Sequence, residues 1–216
     1  MNCKAILFDF DGTLSRPNVD FQRMRKTILN LLSSYGVETG NLENLFVLEM
    51  VESGRRILDQ VDKSAGADFN RRAHDLIRDM EVEGARRSNL IPGIREMLLD
   101  ARNLDIGTGV VTRNCREAVL EVFPDILSFC DTLVTRESTL MVKPNPEQIL
   151  IALKDLNADP SVSLTVGDHP MDIRAGKEAG TFTVGVLTGY SNADALLDAG
   201  ADLVVESAAQ LVLYLP

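Results

Sequence analysis

Short apolar runs alternating with helical periodicity constrain this chain more than any other feature. Cys3–Phe10 (CKAILFDF), Ile106–Thr112 (IGTGVVT), Ser163–Gly167 (SLTVG) and Thr181–Leu187 (TFTVGVL) each read as a strand buried on both faces, and Asp131–Val134 and Asp202–Val205 are shorter candidates. Between them, helical segments are predicted over 93–103, 116–122, 146–156, 171–179 and 193–199. Strands that alternate with helices of this length form parallel βαβ units, so the fold class expected is α/β with a parallel sheet.

One stretch departs from that rhythm. From 18 to 88 no strand-like run occurs, and apolar residues recur only at helical spacing. Phe21, Met24, Ile28, Leu31 and Leu32 form one such set, and Leu42, Leu45, Phe46, Leu48 and Val51 a second. A third, strongly charged piece over 69–86 carries Leu76, Ile77, Met80 and Val82. The pattern predicts a small all-helical domain inserted after the first strand, with 1–16 and 90–216 forming the core and 17–89 the insertion. Ser15-Arg16-Pro17 and Leu90-Ile91-Pro92-Gly93 mark the crossings, because Pro and Gly punctuate both.

Composition narrows the class. The 216 residues are 45% hydrophobic and 25% charged, which suits a globular chain rather than a disordered one. Lys and Arg number 22 against 32 Asp and Glu, a net charge of −10 that disfavours phosphate backbones and anionic lipid as partners. No apolar run approaches the roughly 18 residues of a membrane-spanning helix. The N-terminus leads directly into a strand without a signal-peptide pattern, and Cys3, Cys115 and Cys130 show no metal-ligand spacing. A soluble cytoplasmic protein with reduced thiols is the expectation. Two His and no Trp argue against a zinc enzyme. His74, the Arg71-Arg72 and Arg86-Arg87 pairs and the methionines at 24, 50, 80 and 97 are read as solvated faces or core packing.

The chemistry-bearing residues gather where strands end. Asp9-Phe10-Asp11-Gly12-Thr13-Leu14 closes the first strand, where Gly12 lets nearby backbone groups converge. Two carboxylates and a backbone carbonyl there suit a hard cation such as Mg²⁺; alone, the pair could equally cap a turn. Thr112-Arg113-Asn114 closes the second strand, Lys143-Pro144 opens the helix at Pro146, and Gly167-Asp168-His169-Pro170-Met171-Asp172 follows another buried strand. In a parallel sheet ligands bind beyond the carboxyl ends of the strands, which brings these four segments to one edge. Carboxylates, a hydroxyl, an ammonium and loop amides are what phosphoryl transfer calls for.

These motifs, in this order and across nearly the whole chain, resemble the haloacid dehalogenase-like hydrolases, in particular the phosphoglycolate phosphatase and β-phosphoglucomutase branch with a helical cap. The resemblance implies a Rossmann-like three-layer core, a cap domain at 17–89, and hinges near 15–18 and 88–92. It implies Asp9 as nucleophile, Asp11 as general acid and then base, Thr112 as a phosphoryl hydrogen-bond donor and Lys143 as counter-charge. Asp9, Asp168 and the Asp11 backbone carbonyl would hold Mg²⁺, with Asp172 supporting them. Gly12, Arg113 and Asn114 would face substrate. Asp11 also separates phosphatases from dehalogenases, which have no leaving oxygen to protonate. His169 departs from the small hydroxyl residue of many relatives and is read as a tolerated loop residue. Ser53-Gly54-Arg55-Arg56 is either a cap loop whose Arg55 reaches substrate or a charged turn of one long helix.

The activity this implies is Mg²⁺-dependent hydrolysis of a small phosphomonoester through an aspartyl-phosphate, by a monomer or homodimer. A phosphomutase of the β-phosphoglucomutase type would use the same core. A phospho-acceptor signalling domain would lack a role for the helical insertion, and a scaffold that lost turnover would not be expected to retain Asp9, Asp11, Thr112, Lys143 and Asp168 together.

Overall fold

The computed structural model describes residues 3–214. Its elements in chain order are β1 (Ala5–Phe8), α1 (Phe21–Ser34), α2 (Val47–Asp59), α3 (Lys63–Ala85), α4 (Ile94–Asn103), β2 (Gly107–Val111), α5 (Arg116–Val122), β3 (Thr132–Val134), α6 (Glu147–Asp155), β4 (Ser163–Gly167), α7 (Pro170–Ala179), β5 (Phe182–Val186), α8 (Ala193–Asp198) and β6 (Leu203–Val205). The chain divides into two compact units, 1–17 with 85–216, and 18–84.

In the larger unit all six expected strands pair in parallel in the order β3-β2-β1-β4-β5-β6. Alternation along β1 sends Ile6 and Phe8 to one face, where they pack with Val110, Val166, Ile94, Leu98 and Val119 of the strands, α4 and α5. Leu7 points to the other face, against Val111, Ile149, Leu153 and Ala175 of β2, α6 and α7. A sheet covered on both sides explains why its strands read as continuous apolar runs. Each edge strand is preceded by an aspartate that ties it inward. Asp131 Oδ2 accepts the Thr108 N–H, and Asp202 Oδ2 accepts the Thr183 N–H, both at 2.8 Å.

Strand order reverses at β1: β2 and β3 are added to one side of it, and the chain then crosses over to add β4, β5 and β6 to the other. Such a switch point opens a crevice at the carboxyl ends of the strands. Phe8 is level with Val110 and with Val166, so the segments following β1, β2 and β4 leave the sheet at nearly the same height.

The smaller unit is helical and has its own core of Met24, Ile28, Leu32, Met50, Val51, Phe69 and Ile77. Two boundaries differ from expectation. The second helix begins at Val47 rather than near Leu42, since 40–46 forms turns, and the third begins at Lys63 rather than Phe69. Gly54 lies inside α2, so Ser53–Arg56 is helix and not a loop. A Cβ there would come within 2.3 Å of Leu32 Cδ2, so close packing of α1 against α2 accounts for the glycine. The insertion leaves and re-enters the larger unit side by side: Arg16 N donates to Asn89 O at 2.9 Å, and Ser88 Oγ donates to Arg16 O.

Candidate active site

Beyond the sheet's carboxyl edge, Asp9, Asp168 and Asp172 each offer a carboxylate oxygen within 4.8 Å of the others, and Lys143 lies among them. Asp9 follows β1 directly and its N–H still pairs with Val166 O at 2.8 Å, which fixes the start of its side chain. Lys143 Nζ lies 2.6 Å from Asp9 Oδ1 and 2.6 Å from Asp172 Oδ1, and donates to Val111 O at 2.8 Å. The lysine and Asp172 side chains are only 2% and 5% exposed, so this charge cluster is largely removed from water.

Burial governs the protonation of the group. Desolvation pushes the Asp9 carboxyl well up, a shift the Lys143 ammonium opposes and the Asp172 and Asp168 charges reinforce. Asp168 is pushed up to about 7, first by burial and then by Asp172. For Lys143, burial alone would favour the neutral amine, but Asp172 and Asp9 outweigh it and hold the ammonium above the ordinary lysine range. Three carboxylates against one ammonium leave an excess of negative charge on hard oxygen donors, a set that fits a divalent cation such as Mg²⁺. The backbone gives the same indication: a Cβ at Gly12 (φ 93°) would lie 2.5 Å from the Asp168 carboxylate, so only glycine lets the β1 loop approach it this closely.

Asp11 occupies a different environment. Asn114 Nδ2 donates to its Oδ2 at 2.7 Å, and Ser15 Oγ lies 3.4 Å from its Oδ1. Its carboxyl is raised by burial, against the lowering effect of Asn114, Ser15 and Lys143. The raised pKa that a general acid needs therefore comes from desolvation and not from neighbouring groups, all of which act to lower it. Thr112 Oγ1 accepts the Asn114 N–H at 3.0 Å, a bond that does not use the hydroxyl proton.

Several residues expected to face substrate already have partners. Gly12 N–H donates to Ser15 O at 2.8 Å, so the glycine's contribution is close approach rather than a free amide. Asn114 serves Asp11. Arg113 Nη1 donates to Lys143 O and lies 3.0 Å from Met171 Sδ, supporting the loop that carries the lysine. Arg55 lies in α2, in the other unit, with Nη2 2.8 Å from Glu52 and Nη1 2.5 Å from Asp59.

Other site residues escaped the sequence reading. Thr188 Oγ1 donates to Gly12 O at 2.6 Å, and Tyr190 N–H donates to Asp168 Oδ2 at 2.9 Å. A Cβ on Gly189 would fall 1.9 Å from that same oxygen. The segment after β5 therefore braces Asp168 as firmly as Gly12 does. Its position at a strand's carboxyl end was the available signal, but it contains no carboxylate or ammonium to attract notice. His169 is the N-cap of α7: its Nδ1 accepts the Met171 N–H at 3.2 Å, and its own N–H donates to Asp172 Oδ2 at 3.1 Å. Burial lowers its imidazole pKa, which favours the neutral ring this bond requires.

The sequence and fold match a known family. Residues 6–186 match the model of the haloacid dehalogenase-like hydrolases. The chain is 31% identical over 220 residues to pyrophosphatase PpaX of Bacillus velezensis, with 96% of this chain and 94% of that protein covered. It is 29% identical over 219 residues to the N-acetylmuramic acid 6-phosphate phosphatase of Pseudomonas putida, covering 98% and 95%. A hydrolase structure from Pseudomonas syringae superimposes with a TM-score of 0.72 at 20% identity, covering 98% of this chain and 97% of that one. The chain belongs to the haloacid dehalogenase-like hydrolases, and it is an enzyme of their phosphatase kind. No helix among the described residues is long and apolar enough to cross a membrane.

Proposed function

We propose that the protein is a Mg²⁺-dependent phosphatase that hydrolyses a small-molecule phosphomonoester through an aspartyl-phosphate on Asp9. The observation that carries this reading is the buried group of Asp9, Asp168 and Asp172 around Lys143, with Asp11 held apart in its own hydrogen-bonded position. Asp9, Asp168 and the Asp11 backbone carbonyl would hold Mg²⁺, with Asp172 in support. When bound, the ion supplies charge neutralisation for the phosphoryl oxygens.

A carboxylate oxygen of Asp9 attacks phosphorus, the P–O bond to the leaving group breaks, and the leaving oxygen takes the proton of Asp11. Asp11, now ionised, removes a proton from the water that attacks the aspartyl-phosphate. Phosphate departs and Asp9 is regenerated. Burial gives Asp11 the proton it needs at the start, and the Asn114 amide holds the carboxylate it becomes. Lys143 offsets charge on Asp9 and on the transferring group, and Thr112 donates its hydroxyl proton to a phosphoryl oxygen.

These groups address only the phosphoryl end of a substrate, so choice of the organic part falls to the helical insertion, acting as a cap (17–89) on a core formed by 1–16 and 90–216. The reading carries with it a cytoplasmic enzyme, monomer or homodimer, acting on a phosphorylated metabolite and not on nucleic acid or membrane. Phosphate release from a panel of phosphorylated metabolites, with Mg²⁺ and with chelator, tests it. Release that needs both Mg²⁺ and Asp9 supports it. Transfer of the phosphoryl group to a sugar instead of water would make the protein a mutase.

A further inference from the structure

We infer that Gln148 is a positioning residue for phosphoryl transfer, acting through Lys143 and Thr112; this rests on the phosphatase reading above. Gln148 lies in the first turn of α6 and is fully buried, beside Ile149, Ala152 and Leu153. A glutamine at such a site loses more by desolvation than an apolar residue unless its amide is used. Here the whole amide is used. Nε2 donates to Thr112 O at 2.8 Å and to Thr135 O at 3.1 Å, and Oε1 accepts the Lys143 N–H at 3.1 Å.

These partners lie where the sheet runs out. The last β2–β3 pair is Val111 with Val134; beyond it Thr112 N–H bonds to Val134 O at 2.9 Å and Arg136 N–H to Asn114 O at 3.3 Å. Here the two segments lie beyond the paired strands, and the Gln148 amide ties them together by bridging the carbonyls of Thr112 and Thr135, the second of which also accepts the Ser138 N–H at 3.0 Å. The same amide holds the backbone of Lys143, whose ammonium reaches Asp9 at 2.6 Å. One rigid planar group thus sets the spacing between the hydroxyl and the ammonium that flank the transferring phosphoryl group. Displacing such groups by about 1 Å can cost on the order of a hundredfold in rate.

The test uses the full chain with p-nitrophenyl phosphate and Mg²⁺. Gln148→Met keeps the volume and removes every hydrogen bond, while Asp9 and Asp168 are untouched. The expected result is a ten- to hundredfold fall in kcat, with KM and the calorimetric Mg²⁺ affinity each within twofold of wild type. A kcat within twofold, or a loss of Mg²⁺ affinity as large as the loss of kcat, would overturn the inference. Gln148→Asn, which keeps the amide and shortens its reach by one methylene, replaces the methionine variant if that one does not fold. Hydrogen exchange separates this claim from the phosphatase reading. The Lys143 amide should exchange at least tenfold faster in the variant, with β1 and β4 unchanged, even if wild type releases no phosphate from this ester. Unchanged exchange at Lys143 would show that Gln148 does not hold the loop.

Discussion

Asp11 shows how burial sets the protonation of a single side chain. Its two hydrogen-bond donors and the nearby ammonium all favour the charged form, yet desolvation prevails and keeps the carboxyl above its ordinary range. Asp11→Asn keeps the shape and removes the proton chemistry, so turnover should fall by about 10²–10⁴-fold with Mg²⁺ affinity retained, as steady-state kinetics beside calorimetry would show. Gly189→Ala makes the opposite prediction. Its added methyl would collide with the Asp168 carboxylate, so Mg²⁺ affinity should drop at least tenfold in a protein whose circular dichroism is unchanged. That Asp9, Lys143 and Asp168 would come together was legible in the sequence because their segments lie beyond the carboxyl ends of buried strands. Thr188, Gly189 and Tyr190 were not, because they act through a backbone N–H, a hydroxyl bond to a carbonyl and the absence of a side chain. The Gln148 amide depends on partners far away in sequence, Thr112 and Thr135, whereas the capping bonds of His169 are local, to Met171 and Asp172.

Among the elements, the strands were the most readable part, since burial on both faces leaves apolar runs that few other structures produce. Helix starts in the insertion were less so. Leu42 and Leu45 keep helical spacing while lying in turns, where Leu42 still packs into the core. The edge strand β6 depends on Asp202, which accepts both the N–H and the hydroxyl of Thr183 and pairs with Lys177 at 2.5 Å. Burial tends to raise its carboxyl, but the Lys177 and Thr183 bonds prevail and hold it below the usual range. A carboxyl depressed in the folded state stabilises above the unfolded value, near pH 4, and that stability is lost as pH falls through the folded value. Asp202→Asn should therefore cost about 1–2 kcal/mol at pH 7, and the gap from wild type should shrink toward pH 3 in urea titrations.

At the scale of the molecule, every proposed catalytic and metal-holding residue belongs to the larger unit, while the helical insertion carries a core of its own. The two ends of the insertion run side by side through Arg16 and Asn89. Replacing 18–84 by a short Gly-Ser linker should therefore leave a folded protein that binds Mg²⁺ within about threefold of the full chain. Such a protein should also lose discrimination among phosphate esters; retained substrate preference would mean that specificity resides in the core. That the insertion exists was evident from the interrupted strand rhythm. Which molecule it would select was not, because the sequence does not separate helix faces that pack from those that recognise.

The central claim, a covalent phosphoryl transfer to Asp9, is tested most directly by trapping. Wild type mixed with an accepted substrate and Mg²⁺, quenched in acid within milliseconds and digested, should yield the peptide containing Asp9 carrying one added phosphoryl group. Asp9→Asn should yield none and release no phosphate. Phosphate release from wild type with that peptide unmodified at every quench time, together with release by Asp9→Asn, would contradict the account.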